Sequence, residues 1–68
     1  MSASHSGMVV AFDAGAGLGE IERSDGQRFR FHCVELADGT RTIDVATEVT
    51  FGLLCKLGRY EACGVTRA

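Results

Sequence analysis

Sixty-eight residues suffice for one small domain and leave no room for a second, since independent domains rarely fall below about 50 residues. Nine acidic against seven basic side chains give a net charge of −2, without the basic excess by which nucleic-acid binders commonly neutralise phosphate; Lys56 is the one lysine. A domain of this size buries only about 60% of its unfolded surface, which leaves little volume for an enclosed catalytic cleft.

No apolar run approaches the ~20 residues of a membrane span. The first residues carry neither the charged start nor the apolar stretch of a signal peptide, so a cytoplasmic location with no membrane partner is expected. Cys33, Cys55 and Cys63 are odd in number and include no Cys-x-x-Cys pair, which argues against a disulfide framework or a zinc finger. Packed, reduced thiols are expected. His5 and His32 match no familiar ligand spacing, and neither a metal nor another cofactor is expected.

Residues 1–6 are small and polar and are expected to form a flexible N-terminal tail, with the domain occupying 7–68. From Gly7 onward, short apolar and β-branched stretches alternate with Gly and Asp-Gly, the spacing of an all-β domain. Residues 8–12 suit a first strand. Residues 13–19 hold three glycines and must bend or lie close to other backbone.

Leu18-Gly19-Glu20-Ile21-Glu22-Arg23 and Arg28-Phe29-Arg30-Phe31-His32-Cys33 have the alternation of two hairpin strands. The period of two puts Ile21, Phe29 and Phe31 on one face, and Leu18, Glu20, Glu22, Arg28, Arg30 and His32 on the other. Parity then demands an odd loop, most simply three residues with Gly26 left-handed. Glu20 and Glu22 stand opposite Arg30 and Arg28, or one step along.

A polar connection over 37–41 leads to Ile43, an isolated apolar anchor. Val49, Phe51 and Leu53 mark a fourth strand, with Gly52 a bulge or point of close approach. The last strand covers 60–66 and is entered through Leu57-Gly58. Such a series fits a small closed antiparallel barrel of five strands, because closure removes exposed edges. Its expected interior is Val9, Ile21, Phe29, Phe31, Ile43, Val49, Phe51, Ala62 and Val65.

The order Gly7-Met8-Val9-Val10-Ala11-Phe12-Asp13, Gly17-Leu18-Gly19-Glu20-Ile21, Asp25-Gly26, Phe31-His32, Glu48-Val49-Thr50-Phe51 and Glu61-Ala62 resembles a bacterial cold-shock domain over nearly the whole chain after residue 6. The resemblance implies an OB-type barrel that binds single-stranded RNA or DNA. On the binding face, however, the chain departs from the family. The family's Lys-Trp-Phe-Asn is Val10-Ala11-Phe12-Asp13 here. Its Lys-Gly-Phe-Gly-Phe-Ile is Ala16-Gly17-Leu18-Gly19-Glu20-Ile21, and its Val-Phe-Val-His-Phe is Phe29-Arg30-Phe31-His32-Cys33. Thr40 stands in the loop where the family often has a further aromatic.

Single-strand binding rests on aromatic stacking, about 1–3 kcal/mol per base, and on basic side chains along the phosphates. Several of those rings are absent, and Glu20 adds repulsion toward phosphate. Arg30 can stack through its planar guanidinium, and Arg28, Arg30 and His32 form a partly basic stripe that pairing with Glu20 and Glu22 would neutralise. His32 has two readings of equal weight, a stacking ring and an exposed strand histidine. Phe12 either edges the binding face or packs under the glycine-rich loop. Gly15, Gly17 and Gly19 lack the following helix that a phosphate-cradling loop requires.

No nucleophile, base and orienting acid occur together, and the chain is not expected to be an enzyme. The expected function is weak, salt-dependent binding of single-stranded RNA or DNA, with Phe12, Leu18, Arg28, Arg30, His32 and Arg59 as the candidate residues. The alternative is a protein-interaction or regulatory module on the same barrel. The edges of such a barrel permit dimerisation without specifying it.

Overall fold

The strands Leu18–Arg23 and Arg28–His32 pair as alternation and parity require. In a computed structural model, which describes residues 4–68, Ile21 stands opposite Phe29 and Glu22 opposite Arg28. Three residues, 24–26, close the hairpin: Arg23 N donates to Gln27 O at 2.7 Å and Gly26 N to Arg23 O at 2.8 Å. Gly26 has φ 90, a conformation that glycine adopts without steric cost. Asp25 fixes the loop by accepting from Arg23 Nη2 at 2.7 Å and Gln27 N at 3.1 Å. The Arg23 guanidinium, then the Gln27 amide, hold its carboxyl down at about 2. Arg23 also lies over the Phe29 ring, 5.0 Å from its centroid.

In chain order the elements are β1 (His5–Asp13), β2 (Leu18–Arg23), β3 (Arg28–His32), a 3-10 turn (Cys33–Glu35), β4 (Glu48–Lys56) and β5 (Arg59–Arg67). They form one five-stranded sheet in the order β3-β2-β1-β4-β5, antiparallel at every pairing. The sheet curls until β3 nears β5. There the closure is made by a single parallel bridge between Leu36 and Val65, with Ala37 N donating to Val65 O at 2.8 Å.

The first strand starts earlier than expected. His5 pairs with Phe51 and Ser6 with Thr50, because backbone pairing accepts small polar residues and the His5 ring packs at 5.8 Å against Phe51. Of the expected tail, residues 1–3 lie outside the described residues. The third strand ends at His32 rather than Cys33, where the chain turns and Cys33 N donates to Gly17 O at 2.8 Å. Register slips fall between Val9 and Ala11 and, beside Gly52, between Thr50 and Gly52. The first slip lets Val9 point inward while Ala11 stands outward beside Glu20.

All nine expected interior residues are buried, and Leu36 joins them. Leu36 follows the 3-10 turn, where no period of two marks an inward face. Phe29 packs on Phe51 with centroids 6.0 Å apart, and Phe31 stacks on Phe12 at 6.1 Å. Gly19 makes the second contact feasible, since a Cβ there would lie 2.3 Å from the Phe31 ring.

The hairpin between β4 and β5 turns through Leu57 and Gly58 with φ 51 and 82, a two-residue turn whose twist matches the strands. It carries Cys55 beyond the core, so this thiol is exposed rather than packed. Cys33 and Cys63 are half-buried, and all three thiols are free. Among the described residues no group of three or more His, Cys, Asp or Glu side chains could hold a metal ion. No helix there is long and apolar enough to cross a membrane.

Candidate functional site

The inward direction of Val9, Ile21, Phe29 and Phe31 leaves their strand neighbours facing out. Three rows result. Ala11 stands opposite Glu20, which stands opposite Arg30; Asp13 opposite Leu18, and Leu18 opposite His32; Met8 opposite Glu22, and Glu22 opposite Arg28. Arg28, Arg30 and His32 are exposed, whereas Leu18 and Phe12 are half-buried. Phe12 stacks on the Phe31 ring and stays half-buried at the border of the outer face. A shallow depression of about 230 Å³ lies over this region, bordered by Phe12, Asp13, Leu18, Glu20 and Arg30.

Asp13 shapes the rim of that depression. Its Oδ1 accepts from Gly15 N at 3.0 Å and Ala16 N at 3.2 Å, while its carbonyl accepts from Gly17 N at 2.8 Å. A short acceptor side chain closing on the backbone two and three residues ahead is a standard turn former. The glycine-rich segment is thereby committed to a turn.

The charges on the face distribute unevenly. Arg28 reaches both carboxylates, Glu22 at 3.2 Å and Glu20 at 3.5 Å. Backbone register sets Glu20 against Arg30, yet one guanidinium placed between two carboxylates serves both. Arg30 is left with no ion pair or hydrogen bond among the described residues. The expected neutralisation of the stripe thus stops at Arg28.

The seven basic side chains divide into structural and available charge. Arg23 pairs with Asp25, Lys56 with Glu61, and Arg67 with Asp38. Arg67 also donates to Thr42 O at 2.9 Å, holding the connection between β3 and β4 against β5. Arg30, Arg41 and Arg59 remain without carboxylate partners among the described residues.

Arg59 opens β5, away from β1 and β2, but the curl of the sheet brings it near β3. A second depression of about 210 Å³ lies there, bordered by Glu20, Arg28, Arg30, Arg59, Tyr60 and Glu61. The structure therefore groups Phe12, Leu18 and Arg30 at one depression and Arg28, Arg30 and Arg59 at the other. His32 is on the same face but borders neither. Tyr60, 60% exposed, was not among the candidates. The sequence signal for it is its place next to the turn at Leu57-Gly58, beyond Ala62, the first buried residue of β5. Chemically, the two depressions offer planar surfaces for stacking and guanidinium donors for an anion.

No family model matches the chain, and no curated protein matches it in sequence. Among solved structures it is similar to one described as "drosophila Unr CSD456", with 25% sequence identity and a TM-score of 0.83 over 98% of this chain. The chain spans 27% of the length of that one. The similarity and the single five-stranded antiparallel sheet define a cold-shock-domain-like protein with an OB-type barrel.

Proposed function

We propose that the protein binds single-stranded RNA or DNA on the outer face of β1–β3, weakly and with marked salt dependence. The cold-shock fold is in general a nucleic-acid-binding fold, and bacterial cold-shock domains are the branch whose motifs the sequence resembles. The observation that carries the reading is Arg30: exposed, beside Phe12 and Leu18, and without a carboxylate partner among the described residues. A free guanidinium at a former stacking position can lie on a base and donate to phosphate. Ala11, Leu18 and Glu20 supply no ring, so charge carries a larger share of the affinity.

The second reading, a protein-interaction module, is favoured by one feature. Glu20, Glu22 and Arg28 fill part of the face with ion pairs, which a polar protein partner accommodates better than a phosphate chain does. Titration of a fluorescein-labelled oligopyrimidine by anisotropy separates the readings. Arg30→Ala is expected to cost about 1–2 kcal/mol of binding, since one stacked or phosphate-bound group is lost. His32→Ala should cost less. Equal or reversed effects would make residual ring stacking the main contribution, and no binding by the unaltered protein would leave the protein-interaction reading.

A further inference from the structure

We propose that the depression between β3 and β5 is a nucleotide subsite, in which the Tyr60 ring stacks on a base while Arg30 and Arg59 hold the neighbouring phosphate. The inference rests on the single-strand reading above and adds a second location to it. Three observations converge there.

The first is charge. Both carboxylates bordering the depression are engaged, Glu20 with Arg28 at 3.5 Å and Glu61 with Lys56 at 3.8 Å. Arg28 is in turn held by Glu20 and Glu22. Arg30 and Arg59 have no such partner, so two of the three uncommitted cations among the described residues border one small concavity. The second is the ring. Tyr60 is 60% exposed and makes no ring contact or hydrogen bond among the described residues, leaving area for a planar partner. The third is continuity. Glu20 and Arg30 border both depressions, so a chain lying over Phe12 and Leu18 reaches Tyr60 by crossing Arg30.

This combination selects a nucleotide over an acidic peptide. Two guanidiniums would attract either, but every nucleotide carries a flat base beside its phosphate, which a run of aspartates or glutamates does not. Stacking surface missing at Ala11, Leu18 and Glu20 is thereby supplied from the opposite edge of the barrel.

The chain contains one tyrosine and no tryptophan, so its intrinsic emission reports Tyr60 alone. Titration with oligothymidylate, corrected against free tyrosine amide, should quench that emission saturably, with the midpoint found by anisotropy of a labelled oligomer. Tyr60→Ala should weaken binding about tenfold, and Tyr60→Phe, which keeps the ring, by no more than about twofold. Arg59→Ala should weaken binding and flatten its salt dependence. Thermal unfolding of each variant checks that the barrel persists.

Binding without quenching, and unchanged in Tyr60→Ala, would overturn the subsite while leaving the β1–β3 face in place. Displacement of the oligomer by oligoglutamate at equal concentration would overturn the nucleotide assignment. Absence of any binding would overturn both this inference and the reading it rests on.

Discussion

Replacing Leu18 and Glu20 together by phenylalanine is expected to strengthen single-strand binding by about 2–5 kcal/mol, the sum for two well-placed rings after allowing for non-additivity. Leu18 and Glu20 are alternate residues of β2 on the outer face, both bordering the depression that Phe12 and Arg30 share. The exchange adds stacking surface, removes one carboxylate from the phosphate path and leaves Arg30 in place. Arg28 keeps Glu22 as partner, and loss of an exposed ion pair costs little stability, about 0–1 kcal/mol. Anisotropy titration of the double variant against the unaltered protein gives the difference directly. No gain in a folded double variant would show that Val10, Ala11 or Ala16 limits binding, and would refute the assignment of lost affinity to these two positions.

Gly19→Ala is expected to destabilise the barrel by about 3 kcal/mol, at the upper end of ordinary overpacking costs. Its new methyl would lie 2.3 Å from Phe31 Cζ and 2.5 Å from Cε1, with Phe12 at 3.0 Å. Phe31 is 1% exposed and stacked on Phe12, so relieving the clash means shifting a ring within close-packed core. Small domains of this size are commonly stable by about 3–5 kcal/mol. One added methyl group therefore removes most of the margin. Urea unfolding should show a lower midpoint with little change in slope, and a midpoint equal to that of the unaltered protein would contradict the packing described around Phe31.

Much of the barrel was legible because its information is local. A period of two assigned Ile21, Phe29 and Phe31 to one face, and parity demanded an odd loop, of which three residues with Gly26 left-handed was the simplest. Features decided by tertiary closure were not legible in that way. Leu36 is buried at the bridge to Val65, whereas Val34, its companion by alternation, is exposed because the 3-10 turn breaks the period of two. His5 and Ser6 are held in β1 by backbone pairing, which is indifferent to their side chains. Tyr60 shares its strand parity with Ala62, but the hairpin runs past the core, so facing inward there does not mean burial.

The candidate site divides along the same line. Strand parity put Glu20 and Glu22 opposite Arg30 and Arg28 or one step along, and the hairpin takes the first of these registers. Which carboxylate reaches which guanidinium depends on side-chain direction as well, and both reach Arg28. The availability of Arg30 follows from that choice. So does its meeting with Arg59, which requires the curl that brings β5 to β3.

The most direct measurement is the affinity of the unaltered protein for oligothymidylate as a function of salt concentration. With Arg30 and Arg59 as the phosphate contacts, log affinity should fall against log salt with a slope of about −1.4, from about −0.7 per neutralised phosphate of a single strand. A slope near zero with measurable affinity, or no binding at low salt, would contradict a charge-driven single-strand interface.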